Sequence, residues 1–118
     1  LKVSAKSLTN PNNKPGIVHV SGLKYTIDHN GELRSASFVA KDGKETPIDI
    51  KNPRTDKTYK TVLTDYYAQG HDGFTMLKKF DQAEKVCDFD ITKCVEDYFA
   101  KHKEPVDIVD DGRIQVLD

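Results

Sequence analysis

Tryptophan is absent from this 118-residue chain, methionine occurs once and cysteine twice. Two cysteines are too few for a disulfide scaffold and too sparse for a structural zinc site. No apolar stretch approaches the roughly 20 residues that a membrane-spanning helix needs. Eighteen basic and nineteen acidic residues give a net charge of −1, whereas nucleic-acid binders concentrate an excess of basic side chains. We therefore expect one polar domain that contacts neither nucleic acid nor membrane.

The common catalytic and metal-binding motifs are missing as well. The four histidines are scattered without the spacing that gathers ligands on one metal: His19, His29, His71 and His102. The acidic residues at 107–111 lack the ligand alternation of an EF-hand loop, which favours a solvated turn. Neither a glycine-rich phosphate loop nor a nucleophile elbow is present. We predict no catalytic residue, metal site or cofactor in this chain.

The two cysteines, Cys87 and Cys94, leave two states open. One is a pair of buried or half-buried thiols. The other is a local disulfide, which requires Cα atoms within about 7 Å and indicates an oxidising compartment. The chain begins at Leu1 with no targeting segment, so we expect a processed product or part of a larger protein.

The first half of the sequence predicts β-hairpins. Residues 1–16 are mixed and then loop-like, with Pro, Asn and Gly from 10 to 16. Strands are predicted at 17–28 and 32–40, on either side of Asn30-Gly31, a dipeptide typical of tight hairpin turns. A short strand is predicted near 46–50, and residues 59–67, rich in Thr, Val and Tyr, predict another.

The second half predicts helices and one final strand. Apolar spacing predicts a short helix from Phe74 to Phe80, with Asp72 placed to cap it. A second helix is predicted over 91–103, with Asp90 as its N-cap and Pro105 beyond its end. Residues 113–117 predict a closing strand. The fold class is thus α+β: a mostly antiparallel sheet, hairpins first, with two helices packed against it.

The segment 59–74 (YKTVLTDYYAQGHDGF) is the best candidate for a binding site, because it places aromatic rings and a carboxylate around one turn. If Tyr66 and Tyr67 are neighbours on a strand, their rings point to opposite faces. The outward ring could stack on a base, and Asp72 could accept hydrogen bonds from two sugar hydroxyls. The alternative is structural: Tyr66 packs in the core and Asp72 caps the following helix.

The motif DYYAQGHDGF at 65–74 resembles the C-terminal domain of the 5′-nucleotidase family, which includes UDP-sugar hydrolases. That family shows Asn-Phe at a strand end, then Gly-Gly-Asp-Gly followed by Phe or Tyr. The segment VSGLKYTID at 20–28 resembles its Ser-Gly hairpin, and the helix at 91–103 and the DGRI sequence at 111–114 also fit. The resemblance extends over almost all of residues 17–116.

The resemblance implies a division of labour between two domains. The family's C-terminal domain binds the nucleoside, with the base between two aromatic rings and an aspartate on the ribose. Phosphate is removed at divalent metal ions in an N-terminal metallophosphatase domain. Substrate-binding residues are therefore expected at Tyr66, Asp72, His71, Gly70 and Gly73. The expected partners are a nucleoside or nucleotide and that N-terminal domain, in a secreted, periplasmic or cell-surface protein.

Three departures from the family pattern matter. Tyr66 replaces the usual Phe, which preserves stacking and adds a hydroxyl. His71 replaces the second Gly, a position where a positive φ would be strained. The family's second aromatic ring and its phosphate-binding arginines have no counterpart here, so only half of the nucleoside-binding site is expected in this chain. The chain also carries no metal ligands, so on its own it is expected to be inactive as a phosphatase. The alternative function is a non-catalytic module for domain packing, dimerisation or adhesion.

Overall fold

The computed structural model describes residues 1–10, 12, 18–54, 56–80 and 90–118. The chain divides into two units, residues 1–80 with 112–118, and residues 81–111. The first unit contains α1 (Lys2–Thr9), β1 (Leu23–Asp28), β2 (Leu33–Val39), β3 (Glu45–Pro47), α2 (Asp65–Ala68), a 3₁₀ helix (Thr75–Lys79) and β4 (Ile114–Leu117). The second unit contains α3 (Ile91–Lys101).

A four-stranded sheet in the order β3-β2-β1-β4 forms the first unit's framework. β1 and β2 pair antiparallel, with Tyr25 opposite Ala36, and β2 and β3 also pair antiparallel. β4 runs parallel to β1, with Tyr25 opposite Ile114, so the sheet is mixed. The predicted α+β class is confirmed, and each predicted strand that became part of the sheet is shorter than its pattern suggested.

The hairpin between β1 and β2 is held by one carboxylate. Asp28 Oδ1 accepts hydrogen bonds from the backbone N–H groups of Asn30 and Glu32, both at 2.9 Å. Its Oδ2 accepts from Arg34 Nε at 2.9 Å and also pairs with Arg34 Nη2. Gly31 has φ 74°, as the Asn-Gly turn requires. The turn residues therefore fix the hairpin in the predicted place.

The core is small and centres on β1. Strand alternation places Tyr25 and Ile27 on one face, where they are 1% and 0% exposed. Ala36 of β2 and Ala5 of α1 complete the buried cluster. Ser4 of α1 lies against Tyr25, with 3.3 Å between the two hydroxyl oxygens. Helix α1 thus contributes directly to the core, although residues 1–16 predicted no regular helix.

The strand predicted at 59–67 is wrong. No strand is assigned between residues 56 and 64, and residues 65–68 form the single helical turn α2. Thr64 precedes that turn in an extended conformation, with φ −70° and ψ 152°. Thr, Val and Tyr favour pleated surfaces, yet a strand also needs a neighbouring strand to satisfy its backbone groups.

Helix α3 in the second unit begins where predicted and ends two residues earlier. Asp90 is the N-cap, and its Oδ1 accepts a 2.9 Å hydrogen bond from Lys93 N. The predicted apolar face is present, but all its members are exposed: Ile91, Cys94, Val95, Tyr98 and Phe99. Cys94 is an exposed free cysteine, so neither a buried or half-buried thiol nor a disulfide describes this residue. Cys87 lies outside the described residues. None of the described helices is long and apolar enough to cross a membrane.

Candidate functional site

The segment from α2 to the 3₁₀ helix forms a compact turn, which we call the 65–74 loop. Its backbone is closed by hydrogen bonds from Gly70 N to Tyr67 O at 2.9 Å and from Phe74 N to His71 O at 3.0 Å. Left-handed backbone occurs at Gly70 (φ 82°), Asp72 (φ 54°) and Gly73 (φ 81°). His71 does not have a positive φ, so the strain considered for that position does not arise. Asp72 takes the left-handed conformation instead, which aspartate tolerates better than most residues.

Tyr66 and Asp72 meet through their side chains. The Tyr66 hydroxyl donates a 2.9 Å hydrogen bond to Asp72 Oδ1. That hydrogen bond is the main cause that raises the pKa of Tyr66, and partial desolvation and the Asp72 charge act in the same direction. The Tyr66 side chain remains half exposed, at 49%. An accessible aromatic ring and a carboxylate therefore lie side by side, although the two residues are six positions apart.

Asp72 does not cap the following helix, contrary to the structural alternative. The 3₁₀ helix begins at Thr75 after Phe74, with no side-chain hydrogen bond at its N-terminus. Tyr66 and Tyr67 also differ from the prediction, because they occupy a helical turn instead of a strand. Their rings meet edge to face at 5.7 Å instead of pointing to opposite faces of a sheet.

His71 stacks on Tyr66, a relationship that the sequence did not predict. The ring centroids are 4.5 Å apart and the planes differ by 22°. His71 Nε2 lies 3.4 Å from Gln69 Oε1, and both side chains are exposed. The five-residue separation of Tyr66 and His71 matches no helix or strand period, so only the turn geometry brings them together.

The buried side of the loop explains how these groups are held. Phe74 is 7% exposed and meets the Tyr67 ring edge to face at 5.2 Å. Gly70 is buried beneath the Lys78 side chain, and a Cβ at Gly70 would lie only 2.7 Å from Lys78 Cε. A Cβ at Gly73 would lie 3.5 Å from Val3 Cγ1 of α1, an ordinary contact distance. Gly70 and Gly73 therefore shape the loop, while Tyr66, His71 and Asp72 present its functional groups.

The rest of the described chain offers less chemistry. Groups of three or more potential metal ligands are absent among the described residues. In the second unit, a cavity of about 400 Å³ is lined by residues 98 and 101–107, none of which is a predicted site residue. His102 stacks on Tyr98 there, with ring centroids 4.0 Å apart. His19 and His29 are exposed in the first unit.

Comparison with known proteins identifies the family of this chain. Residues 3–79 match the family described as "5′-nucleotidase, C-terminal domain". The chain is similar to "Cell wall protein Lmo0130" of Listeria monocytogenes, with 37% identity over 71 residues. That match spans 57% of this chain but only 8% of the Listeria protein. No solved structure matches the chain significantly. Because the family match covers well over half of the sequence, the chain belongs to the 5′-nucleotidase C-terminal domain family.

Proposed function

We propose that this chain is the nucleoside-recognition domain of a 5′-nucleotidase-like phosphohydrolase. Tyr66 stacks on the base, and Asp72 accepts hydrogen bonds from the ribose hydroxyls. The observation that carries the proposal is the pairing of a half-exposed Tyr66 ring with the Asp72 carboxylate in the 65–74 loop. An aromatic face holds a base of any identity, and the neighbouring carboxylate adds selectivity for a sugar with free hydroxyls.

Two further features support recognition over a purely structural role. The structural alternative requires a buried Tyr66 and an Asp72 that caps a helix, and the loop has neither. Asp72 also keeps a strained left-handed backbone at φ 54° between two glycines with positive φ. Strain of this kind concentrates at ligand sites, where the backbone aims a side chain at its target.

The proposal assigns hydrolysis to an N-terminal metallophosphatase domain of the parent protein. Divalent metal ions held there would polarise the phosphate and activate water. The residues of this chain would bind and orient the nucleoside. Nucleoside monophosphates, nucleoside diphosphate sugars and cyclic nucleotides all share the base and ribose that Tyr66 and Asp72 would contact. A secreted or cell-surface location is proposed from the family and from the Listeria relative, which is described as a cell wall protein.

Titration of the 118-residue chain with adenosine, followed by NMR, tests the proposal. Chemical-shift changes are expected to centre on Tyr66 and Asp72. Tyr66→Ala should weaken binding by about 5- to 150-fold, since base stacking on an aromatic ring contributes about 1–3 kcal/mol. Tyr66→Phe keeps the ring and should keep most of the affinity. Shifts centred elsewhere, or equal affinity in Tyr66→Ala, would contradict the assignment.

Tyr98→Ala is the matched control for the stacking residue. Tyr98 is 47% exposed and also stacks on a histidine, but it belongs to the second unit. Its removal should leave adenosine affinity unchanged. For the sugar contact, Asp72→Asn should weaken adenosine more than 2′,3′-dideoxyadenosine, because only adenosine offers both hydroxyls to the carboxylate. Equal losses for the two ligands would exclude Asp72 as the ribose acceptor.

A second candidate is a non-catalytic module of the same fold that serves packing, dimerisation or adhesion. The description of the Listeria relative as a cell wall protein is compatible with it. This alternative predicts no saturable binding of any nucleoside. An assay of the parent protein would distinguish the two functions further, because the first requires metal-dependent release of phosphate from nucleotides and the second does not.

A further inference from the structure

We propose that His71 holds the nucleoside site closed, by stacking on the Tyr66 face that a base would use. This inference rests on the proposed function and assigns a role in affinity to a residue that departs from the family pattern. The ring centroids of Tyr66 and His71 lie 4.5 Å apart and the rings are nearly parallel. Rings at this distance are in contact, so no base fits between them.

The imidazole is held loosely enough to move aside. Its Nε2 lies 3.4 Å from Gln69 Oε1, which is long for a hydrogen bond, and the His71 side chain is exposed. The His71 backbone is held more firmly, since its carbonyl accepts a hydrogen bond from Phe74 N at 3.0 Å. Opening therefore requires a side-chain rotation that leaves the loop backbone in place.

The expected effect on affinity follows from population arithmetic. If a base binds only when His71 has rotated away, the apparent Kd equals the intrinsic Kd divided by the open fraction. The stabilisation typical of one aromatic pair corresponds to an open fraction of about one third to one fourteenth. Because a His71 ring stacked on Tyr66 excludes every base alike, the ratio of apparent to intrinsic Kd is the same for purine and pyrimidine nucleosides. A direct contact between His71 and the base would instead depend on the base.

The test compares His71→Ala with His71→Phe. Alanine removes the ring at a position without a positive φ, so the backbone is undisturbed. His71→Ala is expected to bind adenosine, guanosine and uridine about three- to fourteenfold more tightly than the unmodified chain, by one common factor. His71→Phe retains an aromatic ring on Tyr66 and should show no gain. His29→Ala, at an exposed histidine in the β1–β2 turn, should leave affinity unchanged.

NMR supplies an independent readout of the closed state. In the free chain, the imidazole protons of His71 should show a ring-current shift that disappears in Tyr66→Leu. Saturation with adenosine should move these protons toward the values seen in that variant. Unchanged or weaker binding by His71→Ala, or a gain that differs between bases, would overturn the inference while leaving the proposed function standing. If neither the unmodified chain nor His71→Ala binds a nucleoside, while the unmodified chain shows the ring-current shift of His71, the proposed function is refuted and the inference with it.

Discussion

The Tyr66 hydroxyl donates a 2.9 Å hydrogen bond to Asp72 Oδ1, across a turn in which three residues have left-handed backbone. The contact fixes the tyrosine ring relative to the carboxylate before any ligand binds. A preformed pair of this kind reduces the conformational entropy that ligand binding would otherwise cost. The same hydrogen bond raises the pKa of Tyr66, so its effect can be measured by titration.

Removing Asp72 should lower the pKa of Tyr66. The hydrogen bond to the carboxylate is the main cause that raises this pKa, so Asp72→Gly, which also suits the positive φ, should return it toward the ordinary value of about 10. Because the folded-state pKa is raised, this contact stabilises the fold below about pH 10, and the effect is lost as pH rises through the folded pKa. The chemical shift of the Tyr66 ring carbon bonded to the hydroxyl reports the titration directly.

Asp65→Ala is the matched control for that titration. Asp65 is an exposed carboxylate of the same loop, but its Oδ1 accepts a hydrogen bond from the Tyr66 backbone N–H at 2.9 Å and not from the hydroxyl. Its removal should change the Tyr66 titration much less than Asp72→Gly does. Equal changes in the two variants would mean that general loop charge, and not the specific hydrogen bond, controls the tyrosine.

Local sequence signals predicted the elements that local interactions determine. The β1–β2 hairpin follows from Asn30-Gly31, and α3 follows from its apolar period and the Asp90 cap. Helix α1 was missed because Ser4, Ala5 and Ser7 form its buried residues, and such small residues give little periodic apolar signal. The strand predicted at 59–67 failed for the converse reason, since strong β-propensity does not supply a pairing partner.

The candidate site was predictable in its residues but not in its geometry. The DYYAQGHDGF motif identified Tyr66, His71 and Asp72 through family resemblance. Their mutual contacts depend on the left-handed backbone at Gly70, Asp72 and Gly73, which converts sequence separation into proximity. Neither the hydroxyl–carboxylate bond nor the histidine stack has a sequence period from which it could be inferred.

Asp28 should make the stability of the first unit depend on pH in the acid range. Backbone hydrogen bonding from Glu32, with further bonds from Arg34 and Asn30, lowers the pKa of this buried carboxylate. A lowered folded-state pKa contributes stability above the unfolded value of about 3.9, and the contribution disappears as pH falls through the folded pKa. Asp28→Asn should therefore be less stable than the unmodified chain at neutral pH, and the two should converge in acid.

Urea unfolding at a series of pH values measures this convergence. Asp42→Asn is the control, since exposed Asp42 also accepts a backbone hydrogen bond, from Lys44 at 3.0 Å, but in a surface turn. It should change stability little at any pH. A constant difference between Asp28→Asn and the unmodified chain across the acid range would show that lost packing, and not ionisation, destabilises the variant.

The contribution of the Asp90 N-cap to the stability of α3, in the second unit, should be measurable. Asp90→Ala removes the acceptor for Lys93 N–H and should destabilise the helix by about 0.5–2 kcal/mol, the usual cost of a lost cap. Asp90→Asn retains a good cap and should have a much smaller effect. Amide hydrogen exchange in the first turn of α3 reports the change. Equal exchange rates in the two variants would show that the cap contributes little to the helix.

Gly31 contacts α1, the helix that the sequence did not predict, so a substitution at Gly31 tests directly whether α1 packs against the β1–β2 turn. A Cβ at Gly31 would overlap Thr9 Oγ1 and would lie 2.9 Å from Lys6 Cα and 3.0 Å from Ala5 O. Two of these atoms belong to the helix backbone, which cannot rotate aside. Gly31→Ala should therefore force α1 away from the sheet and destabilise the chain by about 1–3 kcal/mol, beyond the strain of a positive φ.

Gly43→Ala separates the cost of the clash with α1 from the cost of a positive φ. Gly43 has φ 82°, close to the 74° of Gly31, but a Cβ there would have nothing within 4 Å. Both variants bear the strain of left-handed alanine, about 1–2 kcal/mol, so the difference between them measures the helix contact alone. Thermal unfolding and the amide exchange of α1 should both show a greater loss in Gly31→Ala. If the two variants lose equal stability, α1 does not pack against the β1–β2 turn in solution, and the contribution of Ala5 to the core must be reassigned.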